Sequence, residues 1–307
     1  MSQPAGQSAD VSRLDPTTGR RELGPDSLLW RWAGDSRIAF LGGTIGLLQL
    51  MHPAIGAGVM EHSDFFGDPY GRVFRSLPRI LGAVYDGPAA AATGREVRDF
   101  HRDIKGVDAT GRRYHALDPA TFWWAHATFQ FMAEQVGDRF DVHRITPAER
   151  DELYLDGVEW YRRYGVSDRA VPPTRAAFQV AWDDICTNVL EMNPAAAFVL
   201  ELLEHIEPPR LTGVLRPFSG LLALPPWRRL ATVPLRIAAI GGLPAVVRER
   251  FGLPWSRQDQ LQLSALELVV AQAWPFVPPS VRWQPRALEG WRRVRRERHG
   301  RPARAAA

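Results

Sequence analysis

Cysteine is nearly absent from this chain, and so is any long uninterrupted apolar run. Cys186 is the single cysteine, so no disulfide framework can form within the chain, and a reducing compartment is expected. The polar residues 1–25 lack the apolar core of a signal peptide, and no stretch reaches the roughly 18 consecutive apolar residues of a membrane span. These absences predict a disordered lead over residues 1–25 and a cytoplasmic location.

The longest mostly apolar stretch, residues 221–247, is interrupted by several prolines and arginines. Two interpretations fit this pattern. The stretch can pack as two short helices, which the interruptions favour, or it can lie on a membrane with its arginines toward water. A peripheral contact of residues 221–247 with the inner membrane face is therefore the alternative to a freely soluble protein.

Lysine is as scarce as cysteine. Lys105 is the only lysine among 38 basic residues, and the net charge is only +4. Much of the positive charge lies near the end of the chain, where we expect a solvated helix followed by a basic disordered tail over residues 299–307. A small excess of charge confined to one terminus does not favour nucleic acid as a partner.

The familiar catalytic and cofactor motifs are also missing. The chain has no HExxH zinc motif, no CxxC pair, no G-x-S-x-G turn, no Walker loop and no Rossmann G-x-G-x-x-G. A di-iron bundle needs two Glu-x-x-His motifs, and residues 201–205 offer one poor imitation. A serine triad stays open because its members can be far apart in sequence, but no serine has a supporting context.

What the chain has instead is a series of helix signals. A capping side chain precedes a proline at Asp68, Asp118, Thr146 and Asn193, and the apolar residues that follow recur every three or four positions. Only residues 106–118 suggest a hairpin. The pattern predicts a single all-α domain over residues 26–298, with about a dozen helices and at most one short hairpin.

The first candidate for chemistry is His101, which lies on the apolar stripe of a predicted helix over residues 94–106. Arg98 is one turn earlier and reaches the same side. A neutral imidazole in an apolar pocket is a common axial ligand of haem iron, and a nearby arginine can bind a propionate or an oxygen species. The alternative is a core histidine that donates to a backbone carbonyl.

Two arginines lie one turn apart on the helix that is predicted to begin after Asp68. Arg72 and Arg75, with Ser76 next to the second, share this helix with several apolar residues. Paired guanidinium groups suit carboxylates such as porphyrin propionates, because each can bind two oxygen atoms. Salt bridges to Asp64, Asp68 or Asp86 are the alternative.

A second histidine, His126, follows two tryptophans in the segment WWAHATF. It is a candidate for a second metal ligand, for an acid or base on the distal side, or for a hydrogen-bond partner of a bound group. His52 closes an apolar helix before Pro53, and we interpret it as a C-terminal cap favoured by the helix dipole.

Several of these segments resemble one family. DPYGRVFRS, VRDFHRDIKGVDATGRRYHALDP, WWAHATF and PPSVRWQPRALEGWRR are similar to segments of the bacterial proteins grouped with the MpaB-type and rubber (latex clearing) oxygenases. The resemblance extends over residues 26–293. It implies a helical fold that binds one haem b, and it implies that His101 is the proximal ligand of the iron.

The resemblance also implies a distal group. The latex clearing branch has an arginine followed three and four residues later by a lysine–threonine pair, and the matching positions here are Arg72, Arg75 and Ser76. The two departures keep the charge and the hydroxyl group, but they change reach and steric fit. Latex clearing proteins are also exported, whereas the first residues here show no signal segment. His126 belongs to the pattern of the small bacterial members and not to that of the rubber-cleaving ones.

The leading hypothesis is therefore a haem b-dependent oxygenase with dioxygen as co-substrate. His101 would bind the iron, Arg98 and Arg72 would contact the cofactor, and catalytic roles fall to Arg72, Arg75, Ser76 and His126. The apolar, tryptophan-rich composition favours a hydrophobic small-molecule substrate, either unsaturated or terpenoid. The alternatives are a haem- or lipid-binding protein without turnover, and a non-haem metal oxygenase that uses His101 and His126. The sequence leaves the oligomeric state open.

Overall fold

The computed structural model of the protein describes residues 21–205 and 224–300. These residues form one helical domain, as predicted. The described residues contain fourteen α-helices: α1 Leu28–Trp32, α2 Gly42–Leu50, α3 Pro53–His62, α4 Pro69–Tyr85, α5 Ala90–Asp99, α6 Pro119–Arg139, α7 Pro147–Arg162, α8 Arg175–Asp184, α9 Pro194–Glu204, α10 Pro225–Gly241, α11 Ala245–Arg250, α12 Arg257–Ala273, α13 Pro279–Arg282 and α14 Pro285–Arg298.

The predicted hairpin is present as well. β1 (Lys105–Val107) pairs with β2 (Arg113–His115) in antiparallel register. Asp108 fixes the turn between them, because its carboxylate accepts from the backbone N–H groups of Thr110 and Arg112. A hydrogen bond from the hydroxyl of Thr110, together with these backbone bonds, lowers the pKa of Asp108 to about 2.

Helix α6 is the central element. Asp118 caps its N-terminus by accepting from Ala120 and Thr121, as the sequence predicts. The helix packs against α1, α2, α3 and α7. Trp124 is fully buried and donates from Nε1 to the carbonyl of Leu48 on α2 at 2.9 Å. The aromatic residues of α6 therefore form the middle of the core.

Helix α4 has two halves with different surroundings. Its C-terminal half is buried through Leu81, Val84 and Tyr85, against α5 and α14. No residue whose burial is described between positions 69 and 80 is buried, and Tyr70 and Val73 expose 48% and 55% of their surface. Pro78 lies between the halves and removes one helical hydrogen bond. The first half thus exposes Tyr70 and Val73, whereas Leu77 and Ile80 at its end pack against the core.

One face of the C-terminal helix, α14, packs against α4. Arg286 of α14 binds Asp86 through two hydrogen bonds of 2.6 and 2.7 Å, and Arg293 donates to the carbonyl of Tyr85. Ala287 and Gly290 lie on the buried face of α14. The prediction of a solvated terminal helix is therefore wrong for this face, because its arginines bind the end of α4.

The ends of the predicted domain fall partly outside the described residues. Most of the predicted lead over residues 1–25 lies outside them, but Arg21 binds the buried carboxylate of Asp156 at 3.1 Å, and Leu23 is buried. The predicted tail over residues 299–307 is described only to residue 300. Part of the 221–247 stretch also lies outside, and its remainder forms α10 and the start of α11.

Among the described helices, none is long and apolar enough by itself to cross a membrane. One bent pair, Ser36–Leu50 with Pro53–His62, reaches the required length and composition across a bend of 97°.

Candidate functional site

His101 lies just beyond a helix and not within one. We predicted a helix over residues 94–106, but α5 ends at Asp99 and the chain turns before β1. The predicted extent is therefore wrong, because residues 100–103 form the turn that leads into the hairpin. His101 still packs inward: its ring is half-buried and stands edge-on to Phe122 of α6 at 5.7 Å.

The hydrogen bonding of His101 selects one tautomer. Nδ1 lies 2.7 Å from the carbonyl oxygen of Val97, one turn back. A carbonyl can only accept, so Nδ1 carries the proton and donates to it. Nε2 makes no hydrogen bond to the described residues, so its lone pair is available to a ligand.

The protonation state of His101 follows from its surroundings. Burial lowers its pKa below the usual value, the bond to Val97 opposes this shift in part, and the positive charge of Arg72 lowers the pKa further. The imidazole is therefore neutral near pH 7. The guanidinium of Arg72 is therefore close enough for its charge to act on the His101 ring.

Arg72 differs from the other predicted arginines in what it binds. It is half-buried, it donates to the hydroxyl of Ser63, and its guanidinium lies 5.9 Å from the ring centre of Phe65. Burial and the charge of Arg75 lower its pKa from the usual value. Arg72 pairs with no carboxylate among the described residues, so its charge is free to bind an anion.

The remaining predicted residues on α4 and α5 point elsewhere or are already paired. Arg75 is exposed and donates to Asp68 at 2.8 Å, which is the salt bridge considered as the alternative. Ser76 is exposed. Arg98 binds Asp99 at 2.8 Å. Arg75 and Ser76 therefore face solvent, and Arg98 shares the carboxylate of Asp99 with Arg102, which binds it at 3.0 Å.

His126 is enclosed in the aromatic core. Its ring is 2% exposed and lies between 4.8 and 5.7 Å from the rings of Trp123, Trp160, Tyr161 and Tyr164. Nε2 donates to the carbonyl of Gly157 at 2.8 Å, and Nδ1 is buried without a hydrogen-bond partner. Burial lowers the pKa of His126 to about 3, so the ring is neutral.

An aromatic layer separates the two histidines. Phe122 contacts His101 on one side and Tyr161 and Tyr164 on the other, and both tyrosines contact His126. Moreover, no group of three or more His, Cys, Asp or Glu side chains in the described parts of the chain could hold a metal ion. The arrangement gives no support to a metal shared by His101 and His126.

One histidine, His52, has surroundings that the sequence analysis did not predict. His52 lies at the elbow between α2 and α3, and its ring faces Trp124 at 6.4 Å. Burial lowers its pKa to about 4, and its Nδ1 has no hydrogen-bond partner. A neutral ring cannot stabilise a helix dipole by charge, so the predicted capping role is wrong. The apolar run before His52 was the signal for its burial.

Two cavities lie away from this group. A cavity of about 320 Å³ is lined by residues that include Phe131, Arg175 and Trp182, and a second of about 510 Å³ extends from there toward Arg139 and Arg248. None of the predicted site residues lines either cavity. Of the predicted site residues, His101 keeps a ring nitrogen without a hydrogen bond and Arg72 lacks an acidic partner among the described residues.

A model of one protein family matches residues 30–273, which is most of the chain. The family is described as the catalytic domain of the ER-bound oxygenase MpaB/B′ and rubber oxygenase. No curated protein and no solved structure matches the chain significantly.

Proposed function

Because the chain belongs to the family of MpaB and rubber oxygenase catalytic domains, we propose that it is a haem b-dependent oxygenase of a lipophilic small molecule. Membership makes an oxygenase the general function. The haem, the substrate class and the residue roles below are our proposal.

The observation that carries the proposal is the state of His101. Its Nδ1–H is held by the carbonyl of Val97 while Nε2 makes no hydrogen bond to the described residues. Histidine ligands of metals characteristically donate their other N–H to a carbonyl or carboxylate, which fixes the ring and raises its basicity. Burial and Arg72 keep the ring neutral. His101 therefore fits the role of an axial ligand of haem iron.

Arg72 fits a carboxylate of the same group. It is the predicted arginine without an acidic partner among the described residues, and it lies near His101. A guanidinium can bind a carboxylate through two parallel hydrogen bonds. Arg75 and Arg98 already bind Asp68 and Asp99, so we assign the principal propionate contact to Arg72.

When bound, haem b would supply the iron centre that activates dioxygen for insertion into a carbon skeleton. The protein supplies the surroundings. Tyr70, Val73 and Phe100 expose large apolar surfaces close to the site in sequence, and such surfaces favour an unsaturated or terpenoid substrate over a polar one. We assign no catalytic role to His126, because its ring is enclosed and its Nε2–H is used by Gly157.

The test compares three proteins reconstituted with haemin. We expect the wild type to show a Soret absorption band, His101→Ala to lose or weaken it, and His126→Gln to keep it. Circular dichroism controls for folding of each variant. An equally strong band in folded His101→Ala would overturn the assignment of the ligand.

Activity separates an oxygenase from a carrier. Dioxygen uptake and product formation are measured with an unsaturated isoprenoid such as squalene. A haem- or lipid-binding protein without turnover would show the band and no oxygen-dependent product. Bound iron without porphyrin would instead select a non-haem oxygenase.

A further inference from the structure

The outer face of α12 is apolar and exposed. Leu261 and Leu268 expose 71% and 62% of their surface, and Val269 exposes 64%. Two further exposed apolar residues follow the helix in sequence, Phe276 and Val281, which are 87% and 59% exposed. Scattered exposed apolar residues are ordinary in soluble proteins, but a continuous stripe of them marks an interaction surface.

The inner face of the same helix is also apolar. Leu263 and Ala271 are buried, and Leu263 packs with Ile237 and Ala238 of α10. On a helical wheel, Leu261, Ala265 and Leu268 lie opposite Leu263. A surface helix normally has one apolar face, and a helix that is apolar on both faces is normally buried on both.

Charge is almost absent from this surface. Between Gln260 and Val281 the only charged residue is Glu267, which turns away from the stripe to bind Arg139 at 3.4 Å. The polar residues within the stripe, Gln262, Ser264 and Gln272, are neutral, and two arginines, Arg257 and Arg282, lie at its two ends. A surface that binds membrane characteristically carries several Lys or Arg along its apolar face, whereas here Arg257 and Arg282 lie at the ends and no Lys or Arg lies between positions 260 and 281.

We propose that a second copy of this chain covers the stripe, so that the protein is a two-fold dimer through α12. In such a contact each copy presents the same face, and any charge near the axis would meet its own like charge. A neutral apolar stripe with amide neighbours avoids this conflict. Ala265, in the middle of the stripe, lets two helices approach closely at the axis.

The size of the surface fits this partner. Five large apolar residues that are each more than half exposed offer on the order of 500 Å². A standard interface takes about 800 Å² from each partner, and Ala265 and the flanking amides supply the remainder. The largest apolar patch on a typical monomer is about 300–600 Å² and is often functional.

Mass measurement by light scattering after gel filtration tests the proposal. We expect the wild type to have twice the 34.4 kDa mass of the chain. Leu268→Glu and Leu268→Arg should each weaken association by at least roughly 30-fold, the effect of losing one interface hot spot. An equal mixture of the two variants should form the dimer again, because opposite charges then face each other across the axis.

Several results would overturn the proposal. The first is a wild type that is monomeric at every concentration. The second is a Leu268→Glu variant that stays dimeric, or a mixture that stays monomeric. A monomeric wild type that binds neutral phospholipid vesicles, when folded Leu268→Glu does not, would assign the face to a membrane instead. A monomeric wild type whose Leu268→Glu variant unfolds would assign it to another segment of the chain.

Two further variants control the measurement. Phe276→Asp changes the same surface outside the helix and should also weaken association, so the test stands even if charges at position 268 disturb α12. Val107→Glu changes a residue of β1 that is 57% exposed and belongs to the hairpin, which packs against α3. It should leave the mass unchanged.

Discussion

His101 and His126 lie on either side of Phe122, and their surroundings are opposite in kind. His126 is enclosed by aromatic rings, and its one donor is used by Gly157. His101 is half-buried, its donor is used by Val97, and its second nitrogen makes no hydrogen bond to the described residues. Helix α7 packs on His126 through Trp160 and Tyr161, whereas α4, which carries Arg72, exposes Tyr70 and Val73 in its first half.

This difference shows why burial alone does not identify a ligand. Both rings are kept neutral by desolvation, and both donate to a backbone carbonyl. Only His101 combines a fixed tautomer with access from outside and with a nearby cation that lacks an acidic partner. Access and partners distinguish a binding histidine from a core histidine.

The largest contrast concerns stability. Trp124→Ala should lower the free energy of unfolding by about 3–5 kcal/mol, since it removes a fully buried ring and its bond to Leu48. Phe100→Ala, at a residue that is 61% exposed, should change it by less than about 1 kcal/mol. Urea unfolding monitored by circular dichroism measures both. Equal losses would mean that Phe100 is packed as tightly as the core.

The second contrast is the dependence of stability on pH. The pKa of His126 is about 3 in the native protein and near its usual value of roughly 6.5 after unfolding. Between these values the unfolded chain binds one more proton, so His126 makes the free energy of unfolding fall as the pH falls. The slope is about 1.4 kcal/mol per pH unit for this one group, and His52 acts in the same direction with its pKa of about 4.

His126→Gln tests this assignment, because an amide can still donate to Gly157 but does not titrate. We expect its free energy of unfolding to depend less steeply on pH than that of the wild type between pH 6 and pH 4. His299→Gln changes an exposed ring and should keep the wild-type slope. An unchanged slope in His126→Gln would show that other groups cause the loss of stability in acid.

The smallest effect concerns the site itself. Arg72→Gln removes a positive charge near His101, so the pKa of His101 should rise. Arg75→Gln should raise it less, because Arg75 is exposed and paired with Asp68. Nuclear magnetic resonance titration of the histidine rings measures both shifts. A larger shift in Arg75→Gln would place Arg75, and not Arg72, beside the imidazole.

Much of the fold could be predicted from local signals. Asp68, Asp118, Thr146 and Asn193 cap helices as their spacing indicates, since a cap depends only on residues within one turn. The end of α5 could not be predicted in this way. His101 continues the apolar periodicity of that helix, but the chain must turn there to form the hairpin, and that demand comes from outside the helix.

The candidate site was likewise only partly predictable from the sequence. Resemblance to the family implied a proximal ligand at His101 and a distal group that includes Arg72, and in the structure the positive charge of Arg72 lowers the pKa of His101. The other arginines on the same helices looked equivalent in sequence. Their partners, Asp68 for Arg75 and Asp99 for Arg98, are acids close in the chain, but sequence spacing could not show which of them bind.

By itself the sequence determined that the chain folds as one helical domain of the oxygenase family, because caps, periodicity and family motifs are properties of neighbouring residues. Only the tertiary structure decided that His101 keeps a nitrogen available while Phe122 and the tyrosines enclose His126. Exposure and charge pairing depend on residues brought together from distant parts of the chain, and periodicity along one helix carries no information about them.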